Sequence, residues 1–200
     1  MLDIILNLFI FLTTAILLVR ISRKDGAWDP DQIRKTFRFF TCQSNVLCAV
    51  SALAMAAAQL AGNVPRWVWT LKYIGTAGVT VTMLTVFLFL APCTGKDWYQ
   101  KLLKGTPNLL MHFLNPLLAI LSFCLLERQQ MSFLSSLWGM LPVIVYGQHY
   151  LYRIRFAPEE KKWDDFYRFG KAGKLPVSLG LMFAGTFIVC MLFMLAQNAP

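Results

Sequence analysis

Charge is what this sequence has least of. Charged residues make up 14% of its 200 positions, whereas 57% fall in the hydrophobic set. A soluble domain carries about a quarter charged residues. Too few polar side chains are present to cover a water-exposed surface, and lipid is the solvent such a chain suits. Closely spaced cysteine pairs are missing too. The five cysteines, Cys42, Cys48, Cys93, Cys124 and Cys190, form no C-x-x-C, and four lie inside apolar runs. That speaks against a disulfide framework or a zinc motif and for buried thiols. There are two histidines, and the carboxylates Asp3 and Glu127 stand only at the ends of apolar runs. A multi-ligand metal site is therefore not expected, and a carboxylate proton relay lacks its groups. No G-x-S-x-G elbow, H-E-x-x-H, Walker loop or dinucleotide fingerprint occurs, so no cofactor is expected.

What is present is a series of six apolar runs, near Leu2–Val19, Phe39–Ala61, Tyr73–Pro92, Leu109–Leu126, Ser132–Leu151 and Leu175–Ala196. Each is long enough to cross roughly 30 Å of hydrocarbon at about 1.5 Å per residue. The expected fold is an all-α membrane protein, with residues 1–200 forming one bundle of six transmembrane helices. The first run has Asp3 and no Lys or Arg ahead of it and ends at Arg20 without a small-x-small cleavage site. It reads as a span, not a signal peptide. Trp67, Trp69, Trp163 and Tyr167 flank runs where amphipathic rings anchor at the interface.

The net charge of +9 is concentrated in loops. Arg20, Arg23, Lys24, Arg34, Lys35 and Arg38 fall in the first loop, and Lys96, Lys101 and Lys104 in the third. Arg153, Arg155, Lys161, Lys162, Arg168, Lys171 and Lys174 fall in the fifth. The alternate loops hold Arg66, Lys72 and Arg128. This asymmetry puts loops one, three and five in the cytoplasm and both termini outside. Short basic loops between apolar runs do not make a nucleic-acid stripe, so nucleic acid is excluded as a partner. Anionic headgroups of membrane lipids are the expected partners.

Polar residues inside spans cost energy and normally face the bundle interior. Thr41, Ser44, Asn45 and Cys48 share one helix face by their i, i+3, i+4, i+7 spacing. Asn108, His112 and Asn115 share another, and Tyr146, His149 and Tyr150 a third. Each cluster lies within about two turns of the cytoplasmic boundary. Interhelical hydrogen bonding is the plain reading of Thr41 and of the Thr80, Thr82 and Thr85 series. His112 is the ionisable group set deepest in a span.

The segment Arg38-Phe39-Phe40-Thr41-Cys42-Gln43-Ser44-Asn45-Val46-Leu47, followed later by Met111-His112-Phe113-Leu114-Asn115-Pro116, resembles the androgen-induced-gene family of multi-span membrane hydrolases. Short prokaryotic relatives in that family commonly show an F-T-x-Q-S-N-like start to the second span, and the span count and spacing are similar as well. The resemblance implies a threonine hydrolase that cleaves fatty acid esters of hydroxy fatty acids, with Thr41 and His112 as the catalytic pair. Animal members are more apolar directly after the Thr, where this chain has Cys42-Gln43-Ser44-Asn45, which leaves the substrate open.

The expected chemistry follows from the weakness of a free Thr hydroxyl, which needs an adjacent base. His112 takes the Thr41 proton, and Thr41 attacks a lipid-ester carbonyl. Asn108 or Asn115 orients the imidazole, and Asn45, Gln43 or Tyr146 supplies oxyanion donors. Ser44, Gln148 and His149 are further candidates to line the cavity. Two other classes stand beside this one: a non-catalytic scaffold or lipid-binding protein, and a small-solute transporter with Pro116 and Pro142 as kinks.

Overall fold

This computed structural model describes residues 1–167, 169 and 175–200, and residue 93 by its backbone alone. Arg168, Lys171 and Lys174 of the fifth basic loop, and the Cys93 side chain, lie outside the described residues. The first long helix, α1 (Leu2–Ile21), leads into a small antiparallel hairpin, β1 (Arg23–Lys24) and β2 (Ala27–Trp28). Asp25 and Gly26 turn it with φ of 51° and 82°, the pairing that a two-residue hairpin loop demands. The short α2 (Pro30–Thr36) starts with its N-cap Asp29 accepting from the Asp31 and Gln32 amides.

Next come α3 (Phe40–Leu60) and α4 (Arg66–Leu84). The latter runs on through a π turn, Thr85–Leu90, into α5 (Ala91–Thr94). After α6 (Trp98–Leu102), a composite helix is built from α7 (Thr106–Leu109), a π turn Leu110–Leu114, α8 (Asn115–Leu121) and a second π turn Ser122–Leu126. The chain closes with α9 (Phe133–Ser136), α10 (Leu141–Arg155) and α11 (Leu175–Asn198).

Among the described residues, five helical stretches are long and apolar enough to span a membrane: Leu2–Ile21, Phe40–Leu60, Arg66–Leu90, Thr106–Leu126 and Leu175–Asn198. On length and composition the chain is a helical, multi-pass membrane protein. The remaining apolar run, Ser132–Leu151, is helical but divided. A 3-10 turn at Leu137–Met140 separates α9 from the 15-residue α10. The cause lies in α4. Tyr73 Oη donates to the Ser136 carbonyl at 2.5 Å, taking the acceptor that an α-helix would offer four residues on. Gly139 permits the approach, since a Cβ there would stand 2.5 Å from Tyr73 Oη.

The bundle is tightest around Trp69, Tyr73, Phe123 and Phe193, whose ring centroids lie 5.1 to 6.3 Å apart. Such aromatic pairs add packing energy beyond burial alone. The interface reading fails for three of the four ring residues. Trp69 is buried and its indole N–H donates to the Glu127 carbonyl, while Trp163 and Tyr167 are buried in an aromatic cluster. Trp67 is 67% exposed.

The largest departure concerns Lys72, which the sequence places in an outer loop. The third long helix starts at Arg66, not Tyr73, so Lys72 lies in its second turn with 0% of its surface exposed. Glu127, at the end of the composite helix as its sequence position implies, is buried beside it. Lys72 Nζ donates to Asn7 Oδ1 at 2.5 Å and lies 4.0 Å from Glu127 Oε2. Asn7 Nδ2 donates to Glu127 Oε1 at 2.5 Å and approaches Gln59 Oε1 at 3.4 Å, and Ser122 Oγ donates to the same Glu127 oxygen at 2.8 Å. The C-terminal turn meets this end of the bundle, through Gln197 on the Phe123 carbonyl and Asn198 on the backbone of Met131.

Removing one partner of a buried ion pair strands the other, at about 3–5 kcal/mol, whereas replacing both by apolar groups is close to neutral. Lys72→Met and Glu127→Leu alone are therefore expected to lower the melting temperature of the detergent-purified protein sharply. The double variant should recover most of the loss. Equal, additive losses in a thermal melting series would show that the two charges are not coupled.

Candidate functional site

The start of α3 is held from below. Phe39 is extended, with φ −89° and ψ 134°. The turn before the helix is pinned by Tyr146 Oη donating to the Arg38 carbonyl and Gln43 Nε2 donating to the Phe37 carbonyl, both at 2.8 Å. A helix leaves its first N–H groups without intrahelical acceptors. Here Phe40 N–H donates to Tyr167 Oη at 3.1 Å, and the Cys42 and Gln43 N–H groups donate to the Phe39 carbonyl. Thr41 N–H is the first-turn donor left without an acceptor among the described residues. Burial pushes the Tyr167 phenol up to about 12, so it stays neutral and serves the Phe40 amide at ordinary pH.

His112 sits inside the π turn Leu110–Leu114. Its Nδ1 lies 2.7 Å from the Leu102 carbonyl, at the last residue of α6. A carbonyl can only accept, so Nδ1 carries the hydrogen and Nε2 keeps a free lone pair. The ring is thus oriented by a backbone group, in the tautomer a general base requires.

Thr41 and His112 line one cavity of about 390 Å³, together with Asn108, Lys101, Phe166 and Tyr167. This size falls in the range of small-molecule sites. No hydrogen bond joins the two side chains among the described residues. The cavity lies where α3 and the composite helix begin, beneath the aromatic cluster of Tyr146, Tyr150, Trp163 and Tyr167.

The other expected members of the site are differently engaged. Asn108 lines the cavity, and its amide donates to the Lys104 carbonyl at 3.2 Å. Asn115 faces the opposite way. Its amide pairs with Thr13 Oγ1 at 3.2 Å and Thr14 Oγ1 at 3.0 Å on α1. The α-helical spacing that grouped it with His112 does not hold, because the π turn between them shifts the register. Asn45 donates to the Thr41 carbonyl at 2.8 Å and the Met111 carbonyl at 3.0 Å, tying α3 to the composite helix. Gln43 and Tyr146 spend their donors on the turn below α3. Asn45 and Tyr146 have no donor free for an oxyanion, and Gln43 has one of its two N–H groups engaged.

Ser44 bonds Thr82 Oγ1 at 2.7 Å and lines, with Gln43, a separate cleft between α3 and α10. Gln148 and His149 are exposed, the latter edge-on to Trp163 with ring centroids 5.2 Å apart. These three do not line the Thr41 cavity. One contributor, the Leu102 carbonyl, was hidden from sequence reasoning, because it is a backbone group that no residue pattern marks. The free Thr41 amide is of the kind that any helix start supplies. Among the described residues no group of three His, Cys, Asp or Glu side chains is placed to hold a metal.

No protein-family model, no curated protein and no solved structure matches the chain.

The His112 geometry makes a direct prediction. In NMR spectra of nitrogen-labelled protein near neutral pH, His112 should show a protonated Nδ1 and a bare Nε2, while exposed His149 should exchange between tautomers. A protonated Nε2 at His112 would remove the base.

Proposed function

We propose that this chain is an intramembrane hydrolase of lipid esters, with Thr41 as nucleophile and His112 as general base. It would act in a six-span bundle with both termini outside and loops one, three and five in the cytoplasm. One observation carries the chemical reading: a hydroxyl and a correctly tautomeric imidazole, from two separate helices, line the same cavity. The androgen-induced-gene-like motifs around Thr41 and His112 point to the same pair. The orientation draws support from Lys72, whose burial leaves Arg66 and Arg128 as the basic residues of the opposite loops. It also draws support from the meeting of α1, the Glu127 loop and the C-terminal turn at one end of the bundle.

In this reading His112 Nε2 takes the Thr41 Oγ1 proton as Oγ1 attacks the ester carbonyl. The tetrahedral intermediate collapses, the imidazolium gives its proton to the leaving alkoxide, and an acyl-threonine remains. Water, deprotonated by Nε2, then attacks the acyl carbon, the acyl–Oγ1 bond breaks, and the imidazolium returns its proton to Thr41 Oγ1, releasing the fatty acid and restoring the threonine and the neutral base. The Thr41 N–H and the positive end of α3 stand where the oxyanion forms. Substrate draws the two side chains together, as catalytic hydrogen bonds often tighten only in the bound complex.

A panel of lipid esters offered to purified protein tests the proposal. Thr41→Ala and His112→Ala should each lower turnover by about 10²–10⁴-fold, and a fluorophosphonate probe should label wild type but not Thr41→Ala. Unchanged hydrolysis in both variants would end it. A reporter fused to the C-terminus should read extracytoplasmic, and a cytoplasmic signal would overturn the orientation. A second reading, solute transport, gains from the buried Lys72–Glu127 pair, since charges inside a membrane often mark ion pathways. It predicts liposome flux that Glu127→Gln abolishes and no probe labelling.

A further inference from the structure

Thr41 borders a second space besides the one it shares with His112. This is a narrow neck of about 30 Å³, roughly the volume of one water, walled by Phe40, Val86, Tyr146, Gly147 and Met182. The neck shares Val81, Thr85, Phe169 and Met182 with a wider groove of about 150 Å³. Two helix stripes face each other across that groove. Val81, Leu84, Thr85 and Leu88 come from α4 and its π turn, and Leu181, Met182, Gly185, Thr186 and Val189 come from α11. Val81, Leu84, Thr85 and Leu88 follow i, i+3, i+4, i+7 spacing, as do Met182, Gly185, Thr186 and Val189 with Leu181 beside them, which is how facing sides of two helices are built. Leu88 and Leu181, 72% and 61% exposed, form a rim open to hydrocarbon. At Gly185 a Cβ would meet no heavy atom within 4 Å, so the missing side chain there leaves the groove open.

We propose that this groove is the acyl-chain subsite and that Gly185 sets the length of chain it accepts. The inference rests on the hydrolase reading and names the part of the substrate that reading leaves open. The ester carbonyl would sit at Thr41, between the polar cavity and the neck, with its alcohol half toward His112, Asn108 and Lys101. The acyl tail would pass the neck and lie between α4 and α11. Continuity argues for this occupant, because the same residues wall the neck and the groove, and Thr41 stands at the neck's start. Lining argues for it too. The neck's walls are mostly apolar, among them Phe40, Val86, Gly147 and Met182, which suits a hydrocarbon chain. Met182 walls both neck and groove, and its flexible, unbranched side chain can yield as a chain threads past. A Cβ on Gly147 would stand 3.3 Å from Met182 Cε, so that methionine already bounds the neck closely.

The test is a graded filling of the groove in the full-length protein with Gly185→Ala and Gly185→Leu. Thr41, His112 and the neck stay untouched. Turnover of butyryl esters should be unchanged in both. For palmitoyl esters kcat/KM should fall stepwise, by about tenfold or more in Gly185→Leu, in line with the discrimination that a few methylenes give in an apolar pocket. Equal losses at both chain lengths, or none at either, would overturn the assignment. A second measurement does not need turnover. A diazirine-bearing palmitic acid, photolysed with protein in liposomes, should attach at Leu88, Leu181 and Met182 in wild type and lose those adducts in Gly185→Leu. Adducts spread evenly over the lipid-facing residues of α1 and α11 would mean bulk lipid and no subsite. Groove labelling without ester hydrolysis would retain the subsite and reject the hydrolase reading.

Discussion

A lysine and a glutamate buried together inside an apolar bundle set the terms for everything else in this fold. Each charge alone in such a medium would cost several kcal/mol even after relaxation. Lys72 and Glu127 stand 4.0 Å apart, and Asn7 uses both ends of its amide between them, oxygen to the ammonium and nitrogen to the carboxylate. The network draws on α1 through Asn7, on α3 through Gln59, on α4 through Lys72 and on the composite helix through Ser122 and Glu127. Four of the long helices therefore have one register at this end, since sliding any of them by a turn would strand a charge. The fifth, α11, is fastened there by backbone-directed amides at its C-terminus.

With one end fixed, the other can be open without loss of order. The Thr41 cavity, the neck and the α4–α11 groove all lie toward the opposite end, and π turns border them. Thr85–Leu90 forms part of the walls, and Leu110–Leu114 carries His112. A π turn breaks the ordinary hydrogen-bond ladder and is tolerated mainly where function gains from it. Here it turns His112 toward the α6 carbonyl while leaving Asn115 on the α1 side. The same helix thus serves the packing of the bundle with one residue and the cavity with another.

How much of this was legible can be judged residue by residue. The apolar runs marked five long helices well, because length and hydropathy are properties of the chain itself. They missed the true start of α4, since a lysine reads as a loop residue until its partners are known. Glu127 and Asn7 lie far from Lys72 in sequence, and nothing local announces them. The interruption before α10 was equally hidden. It depends on a tyrosine of another helix taking the Ser136 carbonyl and on the absence of a side chain at Gly139. Within the site, Asn108 and His112 were grouped by spacing and Thr41 was joined to them only through the family resemblance; the three line one cavity. Asn115 was misplaced because spacing arguments assume 3.6 residues per turn throughout. The Leu102 carbonyl was illegible in principle, as every residue offers the same carbonyl, whereas a free amide at the start of α3 follows from any helix start.

The proposed chemistry differs from a familiar triad in its third member, and the difference has consequences. A carboxylate behind the histidine would stabilise the imidazolium formed when the base takes a proton. The Leu102 carbonyl is a neutral dipole. It fixes the tautomer and the ring plane but offers the cation less. In a site of low dielectric an unpaired imidazolium is costly, so the proton must move on to the leaving alkoxide quickly rather than rest on His112. Such a base works as a shuttle between oxygens placed close on either side of it. The counter-charge then has to come from the oxyanion itself, held by the Thr41 amide and the α3 dipole. Cation and anion would arise and vanish together within one cavity, which suits a membrane interior better than a permanently charged carboxylate. It also fits the place where charge is buried among the described residues, at the far end, where Lys72 is matched by Glu127.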